Sequence, residues 1–82
     1  MPTQATGDNQ TIPQAALFEL RHIVMASGTE ALWVYRDPRV IGRKLLTALQ
    51  DAGYIVASRE EGYYRPTAAG MEAARRLQRT RL

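Results

Sequence analysis

Cysteine is absent from this chain, and that absence excludes a disulfide framework, a thiolate metal site and a thiol nucleophile together. The fold must hold by packing and hydrogen bonding alone, a condition that a reducing compartment suits, so a cytoplasmic protein is expected. Histidine occurs once, at His22. No His/Asp/Glu cluster with metal-ligand spacing can be drawn, and no serine has a base partner. No stretch approaches the roughly 20 apolar residues that span a bilayer, and the N-terminus has no basic segment leading into an apolar run. No glycine-rich loop follows a strand to open a helix, which argues against a nucleotide site. The expectation is a soluble protein without enzymatic activity, metal, cofactor or membrane partner. With 82 residues, 45% of them hydrophobic, the chain can close one small core and not two.

What the chain does have is arginine. The net charge is only +3, but ten of the eleven basic residues are arginine, the side chain that makes bidentate contacts to phosphate and carboxylate. That balance suits an acidic partner, and it equally suits an ordinary solvated face.

Residues 1–10, "MPTQATGDNQ", show no apolar periodicity and read as a disordered arm. Structure is expected from Thr11, as N-cap, with Pro13 inside the first turn and Gln14 at the capping-box position of a helix ending near Ser27, before Gly28. Ala16, Leu17, Leu20, Ile23 and Val24 share one face of that helix at 100° per residue. Phe18 and Met25 fall on a second, narrower stripe beside His22, either under the last helix or at a homodimer contact. His22 and Glu19 read as a surface pair.

Thr29 to Tyr35, "TEALWVY", is open between a short helix capped by Thr29 and a strand favoured by Trp33, Val34 and Tyr35. The clearest helix is expected over Pro38 to Ala52, with Asp37 as N-cap, Pro38 at its first position and Gly53 at its exit. Ile41, Leu45, Ala48, Leu49 and Ala52 fall on its apolar side, and Arg39, Arg43, Lys44, Thr47 and Gln50 on the other, with Val40 among them. "YIVASR" and "YYRPT" read as two strands joined at Glu60, Glu61 and Gly62. Pro66 makes the second an edge strand or ends it there. Thr67 caps a last helix, with Ala69, Ala73, Ala74 and Leu77 inward and Arg75, Arg76 and Arg79 outward. The expected core joins Leu17, Leu20 and Val24 to Ile41, Leu45 and Leu49, closed by Trp33, Ile55 and Leu77.

The order helix, ambiguous segment, amphipathic helix, hairpin, helix resembles a winged helix-turn-helix domain. More narrowly, "LLTALQDAGYIV" followed by "YYRPTAAGMEAARRL" is similar to the marR-type and PadR-type transcriptional regulators. Their wing returns to the next helix through an arginine, x, threonine, x, x, glycine step, here Arg65, Pro66, Thr67, Ala68, Ala69 and Gly70. The resemblance covers about Pro38 to Leu77. It implies an α+β, mainly α, winged-helix fold over residues 11–82, with three or four helices and a two-stranded hairpin wing. It also implies a transcriptional regulator that binds double-stranded DNA, with helix 38–52 in the major groove. Arg39, Val40, Arg43, Lys44 and Thr47 then stand at the groove, and Arg59 and Arg65 at the flank of the wing. Phe18 and Met25 are the expected dimer surface, since regulators of this kind commonly bind two half-sites. Two features depart from the pattern. Between Gly28 and Asp37 there is room only for "TEALWVYR", and the wing tip carries Glu60 and Glu61 where Arg or Lys would meet phosphate. These favour the alternative, a winged-helix module, such as a phage or plasmid-encoded modulator, that captures an acidic host protein surface or nucleoprotein complex.

Overall fold

The computed structural model describes residues 12–80, with side chains as far as Leu77. The expected arm, the Thr11 cap and the outward direction of Arg79 lie outside the described residues. In chain order the elements are α1 (Gln14–Ser27), β1 (Val34–Tyr35), α2 (Pro38–Ile41), α3 (Arg43–Asp51), β2 (Ile55–Ala57), β3 (Tyr63–Pro66) and α4 (Ala68–Thr80). The architecture is α+β and mainly helical, with one three-stranded antiparallel sheet. Among the described residues no helix is long and apolar enough to cross a membrane.

Helix α1 starts at Gln14, two residues later than a cap at Thr11 implies. Pro13 stands at the N-cap without a side-chain bond, its carbonyl accepting from Ala16 and Leu17. A proline locked near φ −65° tolerates this place because it has no N–H to satisfy. Ala16, Leu20, Ile23 and Ser27 are buried along one stripe, whereas Leu17 and Val24 are only half-buried. Ser27 is fully buried because its hydroxyl donates to the Leu32 carbonyl at 2.8 Å. That bond ties the helix end to the turn after Gly28.

The ambiguous segment resolves as turn and then strand. Val34 and Tyr35 pair with Tyr64 and Tyr63, so β1 adds a third strand to the expected two-stranded hairpin and Thr29 caps no helix. Strand β3 is therefore central, in the order β1-β3-β2, although Pro66 admitted an edge position. Pro66 is tolerated because β1 reaches only to Tyr64, two residues short of it, so the missing N–H removes no bond to β1. The second reading of this proline, that it ends the strand, describes what occurs.

The largest correction falls on the helix expected over Pro38 to Ala52. It is two helices, broken at Gly42, whose φ of +113° lies outside the helical region and is open to glycine. The break resets the helical phase. Leu46 and Leu49 are the buried leucines of α3, at 1% and 0% exposure, and Leu45 is half-buried at the margin. The far end of α3 is closed as a Schellman motif, with Gly53 N–H donating to Gln50 and Tyr54 N–H to Leu49.

The core is Ala16, Leu20, Ile23, Leu46, Leu49, Ile55, Tyr64 and Ala74, set between α1, α3, α4 and the inner face of the sheet. Val24, Ile41 and Leu45 pack against it from its edge, and Leu17 and Leu77, also expected in the core, are half-buried. Trp33 does not close it, being 43% exposed on the other face of the sheet. Ala69 is exposed, so the inward face of α4 is Gly70, Ala73, Ala74 and Leu77.

Thr67 joins the hairpin, α3 and α4 at one point. Its N–H donates to Tyr54, its hydroxyl donates to the Gly53 carbonyl at 2.6 Å, and that same oxygen accepts the Gly70 N–H at 3.0 Å as a helix cap. Gly70 is required there by close approach, because a Cβ would collide with the Tyr54 carbonyl.

Candidate nucleic-acid interface

Asp37 begins the surface that the sequence points to. Its Oδ1 accepts from the Arg39 N–H at 3.0 Å, the N-cap bond of α2, and its carboxylate also receives Arg39 Nε at 3.2 Å. The Arg39 side chain bonded to it holds the Asp37 carboxyl below the usual carboxylate range, and the same bond raises the Arg39 guanidinium. One turn on, the Arg43 guanidinium stands 3.8 Å from Glu61 at the hairpin tip. Arg39 and Arg43 thus face each other's surroundings across a cleft of about 350 Å³ that also includes Tyr35, Pro38 and Gly62. The hairpin is seated beside it by a 2.6 Å bond from the Arg36 N–H to the Gly62 carbonyl. Gly62 has φ +94°, the conformation expected of it in this turn.

The structure brings together part of the expected set. Arg39, Arg43, Lys44 and Thr47 are exposed on α2 and the first half of α3, and Val40 is 77% exposed beside them. Arg59 is exposed on the hairpin. Arg65 belongs to another surface: it lies opposite Val56 in the sheet, and its guanidinium covers the Trp33 ring at 4.6 Å. Glu61 does not point away from the cations but closes on Arg43. Both carboxylate pairs are exposed, and exposed pairs are worth about 0–1 kcal/mol, so phosphates can displace them.

Glu19 and Arg36 hold this region in place. Glu19, read as a partner of His22, is buried to 8% on the core side of α1. It receives Arg36 Nε at 2.5 Å and Nη2 at 2.9 Å. This fork fixes the end of β1 against α1, immediately before Asp37. Its signal in the sequence was a glutamate one step from the apolar stripe, but the partner is 17 residues away. His22 is exposed.

Phe18 and Met25 are 56% and 65% exposed. Met25 lines a groove of about 220 Å³ between α1 and α4 with Arg21, Val24, Ala74 and Arg75, and Phe18 is not among its walls. Comparison with protein-family models, curated proteins and solved structures finds no match to this chain.

Proposed function

We propose that this is a small winged-helix DNA-binding protein, a transcriptional regulator that reads the major groove with α3. The observation that carries the reading is the one-turn helix α2, broken by Gly42 from α3, which together present Arg39, Val40, Arg43, Lys44 and Thr47 to solvent. A short helix, a glycine break and a second helix with exposed cations, followed by an antiparallel hairpin, support reading these elements as a helix-turn-helix and its wing. In this reading the first helix lies within the segment that looked like one long helix, so the stretch between Gly28 and Asp37 need not supply it. Arg43 reads a guanine edge, while Lys44 and Thr47 take phosphates and Val40 meets a thymine methyl.

Titration with mixed-sequence duplex DNA at low and moderate salt tests this. Binding should weaken steeply with salt. Lys44→Ala should weaken all sequences alike and flatten the salt slope, whereas Arg43→Ala should cost about 1–3 kcal/mol and relax preference at one position. A parent protein that binds no duplex at low salt overturns the proposal. One observation favours the second reading, a module that binds an acidic protein surface: Asp37 and Glu61 already neutralise the two arginines of the cleft. Glu61→Lys separates the two, tightening DNA binding under the first and leaving it absent under the second. The dimer through Phe18 and Met25 stands as a further proposal, overturned by monomeric light scattering at high concentration.

A further inference from the structure

The outer face of the sheet carries the feature that the proposed function leaves unused. Strand alternation puts Tyr64, Val34 and Ile55 into the core and leaves Trp33, Tyr35, Tyr63, Arg65 and Val56 on the opposite side. Trp33, Tyr35 and Val56 are 43%, 52% and 41% exposed. The tyrosine rings lie 5.2 Å apart, tilted at 57°, and Arg65 lies over the Trp33 ring. No described element covers this face, and its one charged side chain is the Arg65 guanidinium. A row of rings kept in water beside a cation loses hydrophobic stabilisation unless a ligand covers it.

We propose that this face binds an unpaired nucleic-acid strand, whose bases stack on Tyr35 and Tyr63 while Arg65, drawn from its place over the Trp33 ring, meets its backbone. The inference rests on the nucleic-acid reading above and extends it from duplex to single strand. Charge decides the occupant. The aromatic row runs through Tyr35 directly into the cleft that holds Arg39 and Arg43, so a ligand lying along it needs flat apolar groups and a repeating negative charge. Duplex bases are closed to stacking from outside, so the bases must be unpaired; aromatic rings beside a basic path are the general means of holding such a strand. Asp37 and Glu61 line the cleft together with Tyr35, each paired there with an arginine, and Glu60 sits at the hairpin tip beyond Ser58. They set the end of the path.

Trp33 is the chain's sole tryptophan, so its fluorescence reports this face and nothing else. The full-length protein is titrated at low salt with a single-stranded oligothymidylate, by Trp33 quenching and by anisotropy of a labelled strand, and in parallel with mixed-sequence duplex. The strand should quench Trp33. Tyr63→Leu should weaken strand binding about tenfold and Tyr63→Phe should restore it, both leaving duplex affinity within about twofold. Arg43→Ala should weaken duplex binding and, because the strand's path enters the cleft, strand binding as well. Duplex binding with no quenching by the strand overturns this inference and leaves the nucleic-acid reading standing. Failure to bind either ligand overturns both. If Tyr63→Leu does not fold, quenching of the parent decides alone, and its absence overturns the inference.

Discussion

Leu45 and Leu46 are sequence neighbours with opposite fates. Leu46 is 1% exposed against α1 and the sheet, and Leu45 is half-buried beside Gly42. Truncating a buried leucine costs its transfer free energy and the cavity left behind, so Leu46→Ala should lose about 2–5 kcal/mol and Leu45→Ala clearly less, read from urea denaturation midpoints. Equal losses would mean that α3 is turned differently. The Glu19–Arg36 fork is a second test at this scale. Both side chains are largely withdrawn from water, so removing one leaves the other desolvated without a partner. Glu19→Ala should cost about 1–3 kcal/mol, and unchanged stability would show that the fork contributes nothing net.

The elements are joined by glycines with unlike jobs. At Gly42 a side chain meets only ordinary contacts, and the difficulty is the φ of +113°. Gly42→Ala should lower stability by about 1–2 kcal/mol and weaken the proposed duplex contacts, because Arg39 and Arg43 are placed by that bend. At Gly70 the backbone is an ordinary helix, and the obstacle is the Tyr54 carbonyl, which no rotamer change can move. Gly70→Ala must push α4 away from the hairpin and should destabilise more than Gly42→Ala. Comparing the two midpoints by thermal denaturation checks the order, and a milder Gly70→Ala would contradict the close packing of α4 on the β2 entry. The step from Arg65 to Gly70 thus has a local mechanical meaning: Thr67 caps the helix while Gly70 lets it approach.

Across the whole molecule, the central strand is what makes helices and sheet one body. Tyr64 on β3 is buried at 7% exposure with its neighbours on either side solvent-facing or half-buried. Burial raises its phenol above the ordinary tyrosine range. In the unfolded chain that phenol ionises near pH ~10, whereas in the folded protein it resists ionisation to higher pH. Its neutral-state stabilisation is therefore intact below about pH 10 and declines as pH rises from there towards the folded-state value. Tyr64→Phe removes the titrating group, so its stability should fall less than the parent's between about pH 9 and pH 11. Parallel decline in both proteins would refute the assignment.

Local chemistry alone determined much of this protein. Asp37 with Pro38 starts a helix, Gly28, Gly53 and Gly62 end or turn segments, Thr67 caps the last helix, and Ile55 and Leu49 are core residues, because capping, turn formation and apolar periodicity act over a few neighbouring residues. The exposed cations of the candidate interface were legible for the same reason. Tertiary structure decided the rest. Val34 and Tyr35 at the end of "TEALWVY" became a strand because Tyr64 and Tyr63 were available to pair with them, partners about 30 residues away that no local pattern names. Glu19 was claimed by Arg36 through the same long-range fold, Gly42 broke a helix whose periodicity ran straight through it, and Trp33 turned outward once the sheet had chosen which face met the core. The break uses the glycine's own backbone freedom, whereas each of the other outcomes depends on a contact between segments distant in sequence, and such contacts exist only when the chain has closed.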